Sequence, residues 1–286
     1  MIQFSSPGKV HLLGEHAVVY GKPALLSAIN LKVKVLISQN SDNNYPLLRT
    51  TINNLISKKF KVKKMPEYTI QSSFPVSSGL GFSAAGSAAI IGALLTHFKI
   101  DWDLKLINQL TFEAEKTFHG NPSGGDNTSV VFGGLILFQT GMVIPTTSKI
   151  NDFILINSGK PEESTKEMIA IAQPKIASIL DHQEALTGQL MQALRVGEEK
   201  KVIEIFKIGE KNLEKIGVVG KEAQKIIADL ESLGAGAKIT GAGGVKKGSG
   251  MILIYHKNPK KILEYAKDNT LEVFQIKLSE EGVKEE

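Results

Sequence analysis

The first third of the chain alternates between apolar and polar positions. VHLLG, ALLSAI and LKVKVLISQ read as strands, and in the last the two classes exchange at nearly every residue, the period of a half-buried strand. SQNSDNNYP interrupts this pattern as a polar, turn-rich loop. A basic amphipathic segment, a short strand in YTIQSSF and a run of small residues, PVSSGLGFSAAGSAA, come next, the last leading into a helix through IIGALLTHF. In DLKLINQLTFEAEKTF a spacing of four places Leu106, Leu110, Ala114 and Phe118 on one face of a second helix, which stops at His119-Gly120. SVVFGGLILFQ reads as a strand, and residues 140–151 as a boundary.

The second half has a different rhythm. Apolar residues recur at helical spacing over residues 164–173, 174–196, 200–216 and 221–233. A second glycine-rich loop, GAGAKITGAGGVKKGSG, then leads into the strand MILIYH, the helix PKKILEYAKD and the strand LEVFQIK. The charged tail SEEGVKEE is predicted to fray. Strands and helices in both halves predict an α+β chain of two lobes, residues 1–150 and 151–286.

Composition removes several function classes. With 42% apolar and 22% charged residues in 286, the chain is an ordinary globular one with a sizeable core. The absence of cysteine excludes disulfides, thiolate zinc sites and a cysteine nucleophile. A net charge of +5 is spread along the sequence; KKFKVKK and VKK are short and lack interleaved aromatics, so no nucleic-acid partner is expected. No apolar run has membrane-spanning length, and MIQFSSPGKVHLLGEH lacks the pattern of a signal peptide, which predicts a cytoplasmic protein without a membrane partner.

The stripped loop at residues 75–89 supplies the first chemistry. A helix start carries unpaired N–H groups and partial positive charge, and small residues there allow a phosphate close approach. Neither the P-loop nor the G-x-G-x-x-G pattern fits, since no Lys-Ser or Lys-Thr pair follows and Ala84 stands where a third glycine belongs. HGNPSGGDN adds Asp126 on a Gly-Ser loop, and Glu115 lies eleven residues earlier. Taken singly, Asp126 is the usual turn or cap residue and Glu115 an ordinary exposed helix carboxylate; together, one suits a hard cation and the other an alcohol proton. Lys9, Glu15 and His16 lie together in PGKVHLLGEHAVVYGKP, where Lys9 could offset charge beside an alcohol and its base.

Taken in order, PGKVHLLGEHAVVYGKPAL, PVSSGLGFSAAGSAA, GNPSGGDN and KITGAGG resemble the signatures of the GHMP small-molecule kinases, over residues from about Ser5 to Tyr255. Within that superfamily, GEHAVVYGKPA combined with HGNPSGxDN is similar to the mevalonate kinase family; galactokinases continue differently after GEH. The resemblance implies a two-lobed GHMP kinase fold, with an N-terminal α+β nucleotide-binding domain and a C-terminal ferredoxin-like α/β sandwich. It implies ATP and Mg2+ as cofactors, mevalonate as the small-molecule partner, phosphorylation of its primary hydroxyl, and a homodimer. A related kinase acting on phosphomevalonate, another mevalonate hydroxyl or a sugar is the alternative within that superfamily, and a non-catalytic nucleotide-binding regulator the alternative outside it.

By the same resemblance, Asp126 is the base and Lys9 its neighbour, while Lys9, Glu15, His16 and Asp126 meet the substrate. The ATP contacts are Ser72, Ser77, Ser78, Gly79, Leu80, Gly81, Phe82, Ser83 and Ala84, and the metal ligands are Ser83 and Glu115. Two departures stand out. Phe82 replaces the first of two consecutive serines, and Val245, Lys246 and Lys247 interrupt the third glycine motif, where the lysines could add phosphate contacts.

Overall fold

A computed structural model describes residues 1–39, 42, 44–120 and 122–286. Asn121 of the HGNPSGGDN motif and Asn40, Ser41 and Asn43 of the polar loop lie outside the described residues.

The first lobe is built on the antiparallel pair β1 (Gln3–Leu13) and β2 (Ala24–Ile37), whose register shifts between Pro7 and Gly8 and again between His11 and Leu13. ALLSAI and LKVKVLISQ are therefore one long strand, not two. After α1 (Pro46–Phe60), β3 (Tyr68–Ser72) pairs with the second half of β2. α2 (Phe82–His97) and α3 (Leu104–His119) follow, then α4 (Gly125–Phe132), β4 (Leu135–Gln139) and β5 (Met142–Thr146). β4 pairs with the first half of β2, and β5 with β4. α2 is apolar or small on every side and is accordingly buried on every side from Ala84 to Leu95, the expected fate of a helix with no polar face.

The second lobe starts at β6 (Asp152–Asn157) and runs through α5 (Thr165–Ala172), α6 (Leu180–Val196), α7 (Glu199–Ile216) and α8 (Lys221–Ser232). β7 (Gly236–Ile239), β8 (Met251–Tyr255), α9 (Pro259–Asp268) and β9 (Val273–Lys277) complete it. Its four strands are antiparallel in the order β7-β8-β6-β9, the ferredoxin-like arrangement. Phe153 and Leu155 belong to a core continuous with the first lobe, whereas Ile154 and Ile156 pack into a second cluster with α5, α8 and α9. The sheet is thus covered on both faces, and the lobes are fused along one of them.

Five local expectations are corrected. The helix expected over residues 174–196 begins only at Leu180, because Pro174 is followed by a tight 3-10 turn over Ile176–Ser178. The buried face of α3 is Ile107, Leu110, Thr111, Ala114 and Glu115; Leu106 and Phe118 sit at its margin. SVVF is helical, not extended: Gly124 and Gly133, both at positive φ, open and close α4, so Asp126 lies in a helical first turn instead of on a loop. GAKI, inside the expected glycine loop, is β7. The tail is not frayed, since β10 (Lys284–Glu285) pairs with β1, Val283 is buried, and the Glu286 N–H donates to the Gln3 carbonyl over 2.9 Å.

Candidate active site

The C-terminal half of β1, the loop before α2 and the start of α4 converge on a cleft of about 540 Å3 between the lobes. Ser77, Ser78, Gly79, Gly81, Phe82 and Ser83 line it, together with Lys9, Glu15, His16, Glu115 and Asp126. Sequence positions more than a hundred residues apart are thus brought to one wall.

The loop is fixed from two sides. The Lys9 N–H donates to the Leu80 carbonyl over 2.9 Å, tying it to β1, and the Met251 N–H donates to the Ser78 carbonyl over 2.9 Å, tying it to β8. Glycine is required at two places. At Gly79 (φ +89°) a Cβ would stand 2.2 Å from the Thr240 carbonyl oxygen, and at Gly81 (φ +72°) it would meet the Lys9 stem at 2.9 Å. Gly241, in the third glycine motif, lies directly against Gly79, so that motif braces the loop. Val245 and Lys247 do not line the cleft themselves but bond acidic residues that do: the Val245 N–H donates to Glu163 over 3.3 Å and Lys247 pairs with Glu162 at 2.7 Å. Phe82 is absorbed by an aromatic group, its ring 4.7 Å from that of Tyr45 and 6.3 Å from that of Phe74. What remains at the mouth of α2 is bare backbone and the Ser83 hydroxyl, a cradle suited to an anion.

Across the cleft, Lys9 Nζ lies 3.2 Å from Asp126 Oδ1. His11, two residues along the same face of β1, places Nε2 3.3 Å from the same oxygen. Burial opposes the charge on Asp126, but the Lys9 ammonium and the bond from His11 outweigh it and hold the carboxyl well below the usual carboxylate range. Burial, reinforced by Lys9, pushes the His11 imidazole down, so the ring is neutral and its Nε2–H donates to Asp126. The Asp126 side chain is one-third exposed (33%), on the side lining the cleft.

Ser83 and Glu115 form a second polar group. Glu115 is buried; its Oε2 accepts from His119 Nε2 at 3.3 Å, and that nitrogen is 3.2 Å from Ser83 Oγ. The bond to Glu115 pushes the His119 pKa up against the effect of burial. Glu115 Oε1 is buried without a hydrogen-bond partner. A hydroxyl and an orphaned carboxylate oxygen are the hard donors magnesium takes, usually alongside phosphate oxygens, so these residues fit Mg2+.

Glu15 and His16 close the cleft on the side of the second lobe. Glu15 forms a buried ion pair with Lys238 of β7, whose ammonium also donates to the Ile239 carbonyl over 2.6 Å. His16, at φ +60°, donates from Nε2 to the Ala242 carbonyl over 3.0 Å; its Nδ1 is buried and unpartnered. Ser72, Leu80 and Ala84 do not line the cleft: the Ser72 hydroxyl is engaged with the Phe74 backbone, and Leu80 and Ala84 are core residues.

A sequence profile described as "GHMP kinases N terminal domain" matches residues 47–134. The chain is 35% identical to a mevalonate kinase of Archaeoglobus fulgidus, over 84% of this chain and 88% of that one. The chain belongs to the mevalonate kinase family. A mouse member of the same family is 28% identical, covering 92% of this chain and 88% of its own. The fold agrees: the crystal structure of L. major mevalonate kinase in complex with R-mevalonate superposes with a TM-score of 0.82 at 20% identity, covering 97% of this chain and 96% of that one.

Relative to the family signatures quoted above, His11, Lys238 and His119 are site residues that the sequence reading passed over. For His11 a signal existed, because KVHLL alternates and places His11 on the same side as Lys9. For Lys238 there was none, since a lysine in a glycine-rich stretch looks solvated until β7 buries it against Glu15.

Proposed function

We propose that the chain transfers the γ-phosphoryl group of ATP to the primary hydroxyl of mevalonate, giving 5-phosphomevalonate and ADP, a step in the mevalonate route to isoprenoids. The observation that carries this reading is the Lys9–Asp126 pair facing the glycine loop within one cleft, in a chain 35% identical to a mevalonate kinase. Phosphoryl transfer asks mainly for positioning and charge neutralisation, and the cleft supplies both.

In this reading residues 77–83 cradle the triphosphate with backbone N–H groups at the start of α2. Asp126, ionised at neutral pH, accepts a hydrogen bond from the acceptor hydroxyl and orients its oxygen toward the γ-phosphorus. Being a weak base, it takes the proton only as the new oxygen–phosphorus bond forms and the bond to ADP breaks. Lys9 compensates the negative charge gathering between carboxylate and phosphoryl group. Ser83 and Glu115 would hold Mg2+, which when bound neutralises charge on the phosphate oxygens. Glu15 and His16 form the acceptor side of the cleft. Residues 1–150 then act as the ATP-binding domain and residues 151–286 as the C-terminal domain, a division supported by β5 and β6 lying in different sheets.

We also read the enzyme as a cytoplasmic homodimer. The dimer is supported by Met142, Val143 and Ile144, exposed on β5 at the open edge of the first sheet. Among the described residues no helix is long and apolar enough to cross a membrane.

The test is direct. The pure protein is incubated with ATP, Mg2+ and a panel containing mevalonate, phosphomevalonate and galactose, and products are identified by mass. Monophosphorylated mevalonate is the expected product; phosphorylation of another acceptor with mevalonate untouched would overturn the reading.

A further inference from the structure

We propose that His11 is a positioning residue: with Lys9 it secures one carboxylate oxygen of Asp126, so that the other oxygen is the one presented to the acceptor hydroxyl. This rests on the reading of Asp126 as the proton acceptor.

Both contacts fall on the same atom. Lys9 Nζ is 3.2 Å and His11 Nε2 3.3 Å from Oδ1, while no described residue hydrogen-bonds Oδ2. A carboxylate pinned through one oxygen by two donors from a single strand has its plane and its free lone pairs set before any ligand arrives. A lysine alone would do this poorly, since its stem has four rotatable bonds and its charge tolerates many geometries. The imidazole adds direction to the bond.

His11 is itself held from the opposite lobe. Its N–H donates to Thr240 Oγ1 over 2.8 Å, and its carbonyl accepts from the same hydroxyl at 3.2 Å and from Lys238 Nζ at 3.4 Å. Both backbone polar groups of one residue are thus bonded by side chains at the β7 end of the second lobe, near the irregularity that separates His11 from Leu13 in β1. The ring hangs from a backbone that cannot shift without breaking the contact between lobes. Its Nδ1 is buried and unpartnered, so the one useful bond the side chain makes is the bond to Asp126.

The charged and titratable groups facing this contact are Lys9 on β1, Glu15 and His16 just beyond that strand, His119 on α3 and Lys238 on β7. In that setting a neutral donor has an advantage over a second cation. It fixes the carboxylate through a directed hydrogen bond and lowers its basicity less than a second full positive charge at the same oxygen would.

The experiment compares His11→Leu, His11→Gln and Asp126→Asn in the full chain, with steady-state kinetics on ATP and mevalonate and a thermal melt of each protein. A glutamine amide reaches the Nε2 position of histidine, whereas leucine offers no donor. Loss of one hydrogen bond to a charged group predicts that His11→Leu lowers kcat on the order of tenfold or more. KM for ATP should stay within about twofold, since the bond touches no nucleotide contact. His11→Gln should keep most of the turnover. Placed in an Asp126→Asn background, His11→Leu should cost little further, because the residue acts through Asp126. An equal loss in both backgrounds, or equal losses from Leu and Gln, would mean a packing role only and overturn the proposal; so would full turnover in His11→Leu. If the leucine variant does not fold, His11→Asn, polar but too short to reach Oδ1, takes its place with the same expected loss. Asp126→Asn retaining normal turnover would sink the reading of the base itself, an outcome distinct from any failure at His11.

Discussion

The backbone N–H of Met251 donates to the carbonyl of Ser78 over 2.9 Å. A strand of the second lobe is thereby hydrogen-bonded to the loop that faces the cleft from the first, and the loop's shape depends on both. The contact between Gly79 and the Thr240 carbonyl has the same character and leaves this junction no room for a side chain.

Substitution Gly79→Ala should therefore be costly. It adds a methyl group 2.2 Å from a backbone oxygen at φ +89°, and neither partner is a flexible side chain. We expect a loss of roughly 2 kcal/mol or more in stability, measured by urea unfolding, with a rise in KM for ATP in whatever fraction remains folded. A variant with unchanged midpoint and KM would contradict this account of the junction.

Asp126→Ala is expected to separate chemistry from binding. Removal of a positioned base costs about 10²–10⁴ in turnover, while the ATP cradle at residues 77–83 is untouched. Calorimetry with a non-hydrolysable ATP analogue should give a dissociation constant close to that of the parent. Parallel losses in affinity and turnover would place Asp126 in the nucleotide site instead.

Stability should fall as pH rises toward the alkaline side, through Glu210. This carboxyl on α7 is fully buried, and burial pushes its pKa up to about 8 from 4.5, although the Ile239 N–H, bonded at 2.9 Å, and Lys238 oppose the shift; Glu214 and Glu15 also face it. A raised folded-state value means the native protein holds a proton that the unfolded chain has already released. The contribution is therefore complete below pH 4.5 and is lost as pH climbs through about 8. Glu210→Gln keeps an acceptor for Ile239 without the titration. Melts recorded from pH 5.5 to 8.5, on the order of three units, should slope less steeply for the variant; identical slopes would exclude Glu210 as the source.

Glu115→Gln tests the cation. Replacing a buried anionic oxygen ligand with an amide should raise the Mg2+ concentration for half-maximal activity on the order of tenfold. It should also weaken Mg2+ binding in calorimetry with the ATP analogue present. Magnesium dependence indistinguishable from the parent would move the ligand elsewhere.

Much of this site was legible in the chain because its chemistry is carried by short contiguous motifs. Lys9, Ser83, Glu115 and Asp126 lie within stretches whose letters resemble a known family, and the structure brings all four to one cleft. Residues that work through tertiary contacts were harder to see. The α3 periodicity admits two neighbouring faces, and only packing against α2 and α4 selects the one carrying Ile107 and Glu115. SVVF has the β-branched composition of a strand, yet flanking glycines and burial at Val130 and Val131 make it a helix. Lys238 and Glu210 look like surface charges because nothing local shows that each faces a partner from another element.

The last residues of the first sheet come from the far end of the sequence: β10 lies beside β1, and Ser5 Oγ donates to the Glu286 carboxylate over 2.6 Å. On a ribosome β1 must wait until both lobes that separate it from β10 have been made before that edge can be covered.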